Sequence, residues 1–303
     1  RSEIRPLHEL SWGDLKTQEA SFANSLRRMG VGPGDRVVAY LPNIPETVVA
    51  FYACASIGAI WSSCSPDMGT RSVIDRFLQI DPKVMIAVDG YRYGGKDFDR
   101  MDVVRQLRSE LPTLEQVVLL PYLDASANLD DSVAWSDMLA HDQPMTFEQL
   151  PFDHPLWVVY SSGTTGMPKP IVHSHGGALL EGLQGQGLHM DLQPNDRYLW
   201  FTTTGWIMWN AQIGGLLLGS TICIYDGNPG YPDLGTLWRF AGEAGVTFFG
   251  AGAAYFLNCK KAEIHPREYA DLSAIHSVGS TGSPLPDEGY KWIMNEIGAD
   301  VLV

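Results

Sequence analysis

Short apolar runs alternate with amphipathic helical stretches along this chain, and that alternation constrains its fold more than any other feature. Residues 36–40, 59–63, 83–88 and 116–120 are apolar runs of strand length. Between and before them, residues 15–29, 45–57, 72–79 and 99–111 carry apolar side chains at helical spacing. Local punctuation agrees. Ser11 ahead of Asp14 predicts a helix N-cap, Pro45 a first helical turn, and Gly30 and Gly58 helix ends. Strands that alternate with helices need crossover connections, which predicts α/β architecture with mostly parallel sheets covered by helices on both faces.

The pattern resumes after a break. Strands are predicted at 156–160, 198–202, 221–225, 246–249 and 274–278, and helices at 177–188, 234–244, 254–262 and 287–297. Residues 124–149 are polar and acidic, with only a brief helical hint at 135–139. The expected organisation is a first α/β subdomain at 1–123, a connection at 124–150 and a second α/β subdomain at 151–303. The chain opens on Arg1 rather than Met and stops at Val303 in what reads as a strand, so it is expected to be a piece of a longer protein.

Composition narrows the function classes. The 303 residues are 45% hydrophobic and 18% charged, enough to bury a large core. The formal charge of −14 argues against a general nucleic-acid binder, which needs a basic face. Cys54, Cys64, Cys223 and Cys259 form no C-x-x-C pair, so no metal site is expected and a cytoplasmic protein with reduced thiols is. The longest apolar stretch, 214–225, is interrupted by Gly219, Ser220 and Thr221 and falls short of the about 20 residues of a membrane helix.

The most informative segment is Tyr160-Ser161-Ser162-Gly163-Thr164-Thr165-Gly166-Met167-Pro168-Lys169, which follows the apolar run 156–160. Two glycines permit torsions closed to other residues, so several N–H groups can turn toward one anion. Hydroxyl side chains add donors and Lys169 adds a cation. The spacing is not that of a Walker loop, which needs Gly, four residues, then Gly-Lys-Ser/Thr. An ordinary Ser/Gly surface turn is the competing reading. The ordered combination behind a buried strand favours the anion site.

Residues 162–169 resemble the signature loop of the adenylate-forming superfamily: acyl-CoA synthetases, luciferases and peptide-synthetase adenylation domains. Other stretches agree across nearly the whole chain, including Gly30-Val31-Gly32-Pro33-Gly34-Asp35 and Leu41-Pro42-Asn43-Ile44-Pro45-Glu46. Trp61 to Gly69 and Thr202 to Asn210 resemble the branch that activates acetoacetate. Gly282-Ser283-Pro284 aligns with the segment that lies against adenine, with Ser where acetate-activating enzymes carry Glu.

The resemblance implies a two-step reaction with ATP, Mg²⁺ and CoA. A short-chain oxo acid attacks the α-phosphate, giving acyl-AMP and pyrophosphate, and CoA then displaces AMP. It implies ATP phosphate binding by Ser161, Ser162, Gly163, Thr164, Thr165, Gly166 and Lys169, adenine contact by Gly282, Ser283 and Pro284, and an acyl pocket at Trp206, Ile207 and Met208. The Mg²⁺-serving Glu, the ribose-binding Asp and the C-terminal domain with its catalytic Lys are expected beyond Val303, leaving no catalytic residue or metal ligand here and a segment inactive alone. Partners are expected to be small molecules, with neither nucleic acid nor membrane.

Alternatives stay open. They are a ligase for acetate or propionate, a phosphotransferase or ATPase using the loop differently, and a non-catalytic nucleotide-binding segment. Among single residues, Trp206 and Trp209 sit three apart, as on one helical face, where core packing competes with a pocket role. His173 and His175, just past the loop, are candidates to approach phosphate against a commoner structural role. Asp226 and Gly227 read as a turn.

Overall fold

The computed structural model describes residues 1–140, 143–161 and 166–303. By its contacts the chain forms two compact units.

One unit comprises His8–Arg92 and Asp97–Leu180. Helix α1 (Trp12–Arg28) starts where Ser11 accepts the Asp14 N–H at 3.1 Å, as the capping pattern predicts. There follow β1 (Arg36–Tyr40), α2 (Pro45–Ser56), β2 (Ile60–Cys64), α3 (Thr70–Phe77) extended by a 3₁₀ turn at Leu78–Ile80, and β3 (Val84–Val88). Next come the short pair β4 (Gly90–Tyr93) and β5 (Lys96–Asp99), then α4 (Met101–Glu110), β6 (Gln116–Leu120), β7 (Val133–Ala134), α5 (Trp135–Met138), β8 (Pro155–Ser161), β9 (Lys169–Ser174) and α6 (His175–Gly182).

Seven strands form one sheet in the order β7-β6-β3-β1-β2-β8-β9. Every pairing is parallel except β8 with the edge strand β9. Its core includes Val38, Tyr40, Phe77, Met85 and Leu107. Asp89 is buried at the end of β3, where its carboxylate accepts the N–H groups of Tyr122, Leu123 and Asp124 at 2.6, 2.9 and 2.7 Å. Those three bonds turn the chain as it leaves β6.

The other unit comprises Arg1–Leu7, Tyr93–Lys96 and Glu181–Val303. It contains a π-helical turn at Leu183–His189, then β10 (Arg197–Trp200), α7 (Ile207–Gly214), β11 (Thr221–Cys223), α8 (Thr236–Ala244), β12 (Phe248–Gly252), α9 (Ala253–Lys261), β13 (Ser277–Thr281) and α10 (Asp287–Glu296). The sheet order is β11-β10-β12-β13, parallel throughout. Trp200 needs glycine beneath it, because a Cβ on Gly250 or Gly279 would lie 2.2 or 2.4 Å from its ring. At the strand entrances, buried Asp196 accepts from His276 at 2.8 Å, from Thr247 at 2.7 Å and from the Gln193 N–H at 2.7 Å. Burial raises its carboxyl, but those hydrogen bonds outweigh burial and hold it below the usual carboxylate range.

The α/β class, the parallel pairing and nearly every element agree with the sequence reading; β1 and β6 match residue for residue. The internal division differs. Residues 156–160, expected to open the second series, pair with β2 and extend the first sheet. The acidic stretch expected to be a connection contributes β7 beside β6. The units part within α6, between Leu180 and Glu181. A buried parallel strand is an apolar run whichever sheet it joins, so local pattern does not reveal its neighbours.

Glu19 on α1 is half-buried, and burial pushes its carboxyl up to about 7. A raised folded-state pKa means the folded chain holds this proton more tightly than the unfolded chain does. Its contribution to stability therefore falls as pH climbs from the unfolded value of about 4.3 through about 7. Glu19→Gln is expected to stabilise the protein more at about pH 8 than at about pH 5, read from urea unfolding at both values.

Candidate nucleotide site

The phosphate-loop candidate is the connection between β8 and β9. Ser161 and Lys169 face each other in the antiparallel register and close it. Gly166 has φ +107°, outside the range other residues favour, and no described atom lies within 4 Å of where its Cβ would stand. Its requirement for glycine is torsional, not steric. Ser161, Gly166 and Lys169 are exposed, and Lys169 has no ion-pair or hydrogen-bond partner among the described residues. Ser162, Gly163, Thr164 and Thr165, also predicted to bind phosphate, lie outside the described residues.

The nearby histidines do other work. His173 pairs with Trp157 near the far end of the hairpin, four residues from Lys169 and so about 13 Å along the strand. Its Nδ1 accepts the Trp157 indole N–H at 2.8 Å. His154 Nε2 lies 2.8 Å from the Gly58 carbonyl. The His154 and His175 ring centres are 5.7 Å apart. Burial, then the neighbouring His154, lowers the His175 pKa and favours the neutral ring. These contacts brace the hairpin base rather than its loop.

The other predicted residues leave the C-terminal edge of the four-stranded sheet. Strand β10 is followed by β11 on one side and, after a crossover, by β12 on the other. That reversal is a topological switch point, where open α/β sheets present a ligand crevice beyond the strand ends. Trp206, Ile207 and Met208 follow β10, with Trp206 at the N-cap of α7. Trp206 is 70% exposed, whereas Trp209 is fully buried in the core. The helical pair is thus split between surface and interior. Ile207 is exposed, and Met208 packs partly against the cluster of Leu192, Tyr198, Trp200 and Phe248.

Gly282, Ser283 and Pro284 follow β13 and are exposed. Gly282 has φ +91°, again with open space at its Cβ position. Just before it, the buried Ser280 hydroxyl has no hydrogen-bond partner among the described residues. An orphaned donor beside an open glycine turn suits a polar ligand edge such as that of a nucleotide base. Asp226 and Gly227, read as a turn, do not form one: Asp226 makes a parallel bridge with Ser2, and Gly227 bends the chain at φ +144° ahead of a turn at residues 229–230. A Cβ on Gly227 would meet Glu3, whose carboxylate accepts the N–H groups of Gly94, Gly95 and Asn228.

Residues 4–303 match the protein family described as AMP-binding enzyme. The chain belongs to that family. It is 43% identical over 308 residues to an acetoacetyl-coenzyme A synthetase of Rhizobium meliloti, covering 99% of this chain and 47% of that protein. It is 41% identical to an acetoacetyl-CoA synthetase of Danio rerio, covering 97% of this chain and 46% of the relative. A solved acetoacetyl-CoA synthetase from Streptomyces lividans superimposes with a TM-score of 0.96 at 52% identity, covering all of this chain and 47% of that one. The chain thus spans about half the length of the relatives it matches.

Because Gly166 holds φ +107°, Ala there should destabilise the fold by about 1–3 kcal/mol, and β-branched Val, which tolerates positive φ less well, by more. Urea denaturation of Gly166→Ala and Gly166→Val checks this, and an unchanged stability in both would remove the torsional requirement.

Proposed function

We propose that this chain is the nucleotide-handling part of an ATP-dependent acid–CoA ligase, acting on acetoacetate to give acetoacetyl-CoA, AMP and pyrophosphate. The observation that carries the reading is the exposed Lys169, whose side chain has no partner among the described residues, opposite Ser161 at the mouth of a glycine-bearing loop. Membership of the AMP-binding family supports it, as do the names of the similar proteins.

In this reading the loop, with Ser161, Gly166 and Lys169, receives the β- and γ-phosphates. Lys169 balances charge that would otherwise resist approach of the acid carboxylate to the α-phosphate, an effect that grows as water is excluded. Gly282, Ser283 and Pro284 lie against adenine, with the Ser280 hydroxyl behind them. Trp206, Ile207 and Met208 shape the acyl pocket, where exposed aromatic and aliphatic surface gains by being covered. Adenylyl transfer of this kind proceeds by positioning and charge stabilisation, without a side-chain nucleophile. Thiolate attack by CoA completes it.

Mg²⁺ enters with ATP as part of the substrate. Among the described residues no group of three or more His, Cys, Asp or Glu side chains is placed to hold a metal, so none is assigned to it. No helix among them is long and apolar enough to cross a membrane. We infer a cytoplasmic enzyme of small-molecule partners without nucleic acid, which the free buried cysteines and the charge of −14 support.

Two measurements on the full-length enzyme test these roles. Lys169→Ala should slow ATP–pyrophosphate exchange while leaving AMP affinity nearly unchanged, because AMP lacks the β- and γ-phosphates. Equal losses in both, or none, would remove the role of Lys169. Met208→Ala should shift the acetoacetate-to-acetate activity ratio by about 10- to 200-fold, the range that about 1–3 kcal/mol of pocket contact allows. An unchanged ratio would count against the pocket.

A further inference from the structure

Both roots of the phosphate loop are tied to one short helical segment. Near the loop the backbone pairing of strand β8 runs to β9 and hardly at all to β2. Its parallel pairing with β2 is confined to Trp61 opposite Trp157, and beyond that the Ser62 hydroxyl donates to the Val158 carbonyl at 2.9 Å. Its other neighbour, β9, is itself an edge strand.

Side chains supply what the ladder lacks. The Tyr160 hydroxyl donates to the Arg76 carbonyl at 2.8 Å, and the Arg76 guanidinium lies 5.6 Å from the centre of the Tyr160 ring. Arg76 is held in turn by the Ser72 carbonyl at 2.8 Å. On the other root, the Gln79 side-chain amide donates to the Pro168 carbonyl at 3.0 Å and to the Asp75 carbonyl at 2.7 Å. Both amide hydrogens are thereby engaged. Tyr160 directly precedes Ser161, and Pro168 directly precedes Lys169.

We propose that α3 and its 3₁₀ extension form a clamp that sets the position of the phosphate loop, with Gln79 and Tyr160 as positioning residues that act through Lys169. This rests on the phosphate-binding role given above. The physical need is plain. A lysine ammonium rides on a flexible four-carbon stem, so its useful location depends on where the backbone at residue 169 is held. Reactive constellations tolerate errors of only about 0.5 Å. The β8–β9 hairpin is joined to the rest of its sheet at Trp61–Trp157 and Ser62–Val158, both short of the loop, and this clamp adds a fixed reference at the loop's roots. The burial of the Tyr160 ring pushes its hydroxyl pKa up, so the proton it donates stays in place.

The test uses the full-length protein, ATP–pyrophosphate exchange, and the neutral substitutions Gln79→Met and Tyr160→Phe. Gln79 is exposed, so its replacement leaves the core intact. Each variant should lose about two- to tenfold in kcat/KM for ATP, the scale of one hydrogen bond. KM for the acid and the melting temperature should not move. In a Lys169→Ala background the same substitutions should have little further effect, since residues acting through one group are not additive. Three results would overturn the clamp: unchanged ATP kinetics, full additivity with Lys169→Ala, or a loss matched by KM for the acid and the melting temperature. If Lys169→Ala alone leaves exchange untouched, the phosphate-loop reading fails and the clamp with it. If Lys169→Ala slows exchange while Gln79→Met and Tyr160→Phe do not, the clamp alone fails.

Discussion

Parallel strand pairing is the constraint on which the rest of this structure depends. Neighbouring strands that run the same way cannot be joined by a tight turn, so each needs a crossover, and the crossovers cover both faces of the sheet. Within each unit, strand ends of one polarity then collect on a single edge. In the four-stranded sheet that edge carries the segments 201–208 and 282–284, and the reversal of strand order at β10 makes it a switch point, the place where open α/β sheets bind ligands. In the seven-stranded sheet the one antiparallel partner, β9, makes the exception that matters. It turns the end of β8 into a hairpin whose connection holds the segment proposed to bind phosphate.

Glycine serves two distinct purposes in this framework. At Gly250 and Gly279 it yields space, because the Trp200 ring occupies the volume a Cβ would take. At Gly166 and Gly282 no described atom lies near the Cβ position, and a positive φ favours glycine. The first kind belongs to the core and the second to exposed loops. The distinction separates packing from function without reference to any other sequence.

Much of this was legible in the sequence. Local signals suffice for α1, whose cap is Ser11, and for β1 and β6, whose apolar runs have sharp limits. The family was legible in residues 162–169 because their order is long and specific. The membership of β8 in the first sheet was not, since an apolar run does not name its neighbours. The β4–β5 pair and β7 were missed as well, being short and carrying little apolar pattern. The contacts of Gln79, Asp89 and Asp196 had no signature either. Each is a single polar side chain bonding to groups far away in sequence, and no periodicity announces that. Trp206 and Trp209 show the limit most directly: identical residues at helical spacing, of which one is surface and the other core.

The Asp196, Thr247 and His276 cluster joins the entrances of β10, β12 and β13, the edge opposite the ligand-facing loops. The anchorage of this sheet is therefore spatially divorced from its chemistry. Substitutions at 206, 207 or 282–284 change exposed positions, and at Met208 a partly packed one, without touching the bonds among Asp196, Thr247 and His276. Such a scaffold can vary the loops at one end of its strands during evolution while keeping its foldedness, because the bonds that fasten those strands lie at the other end.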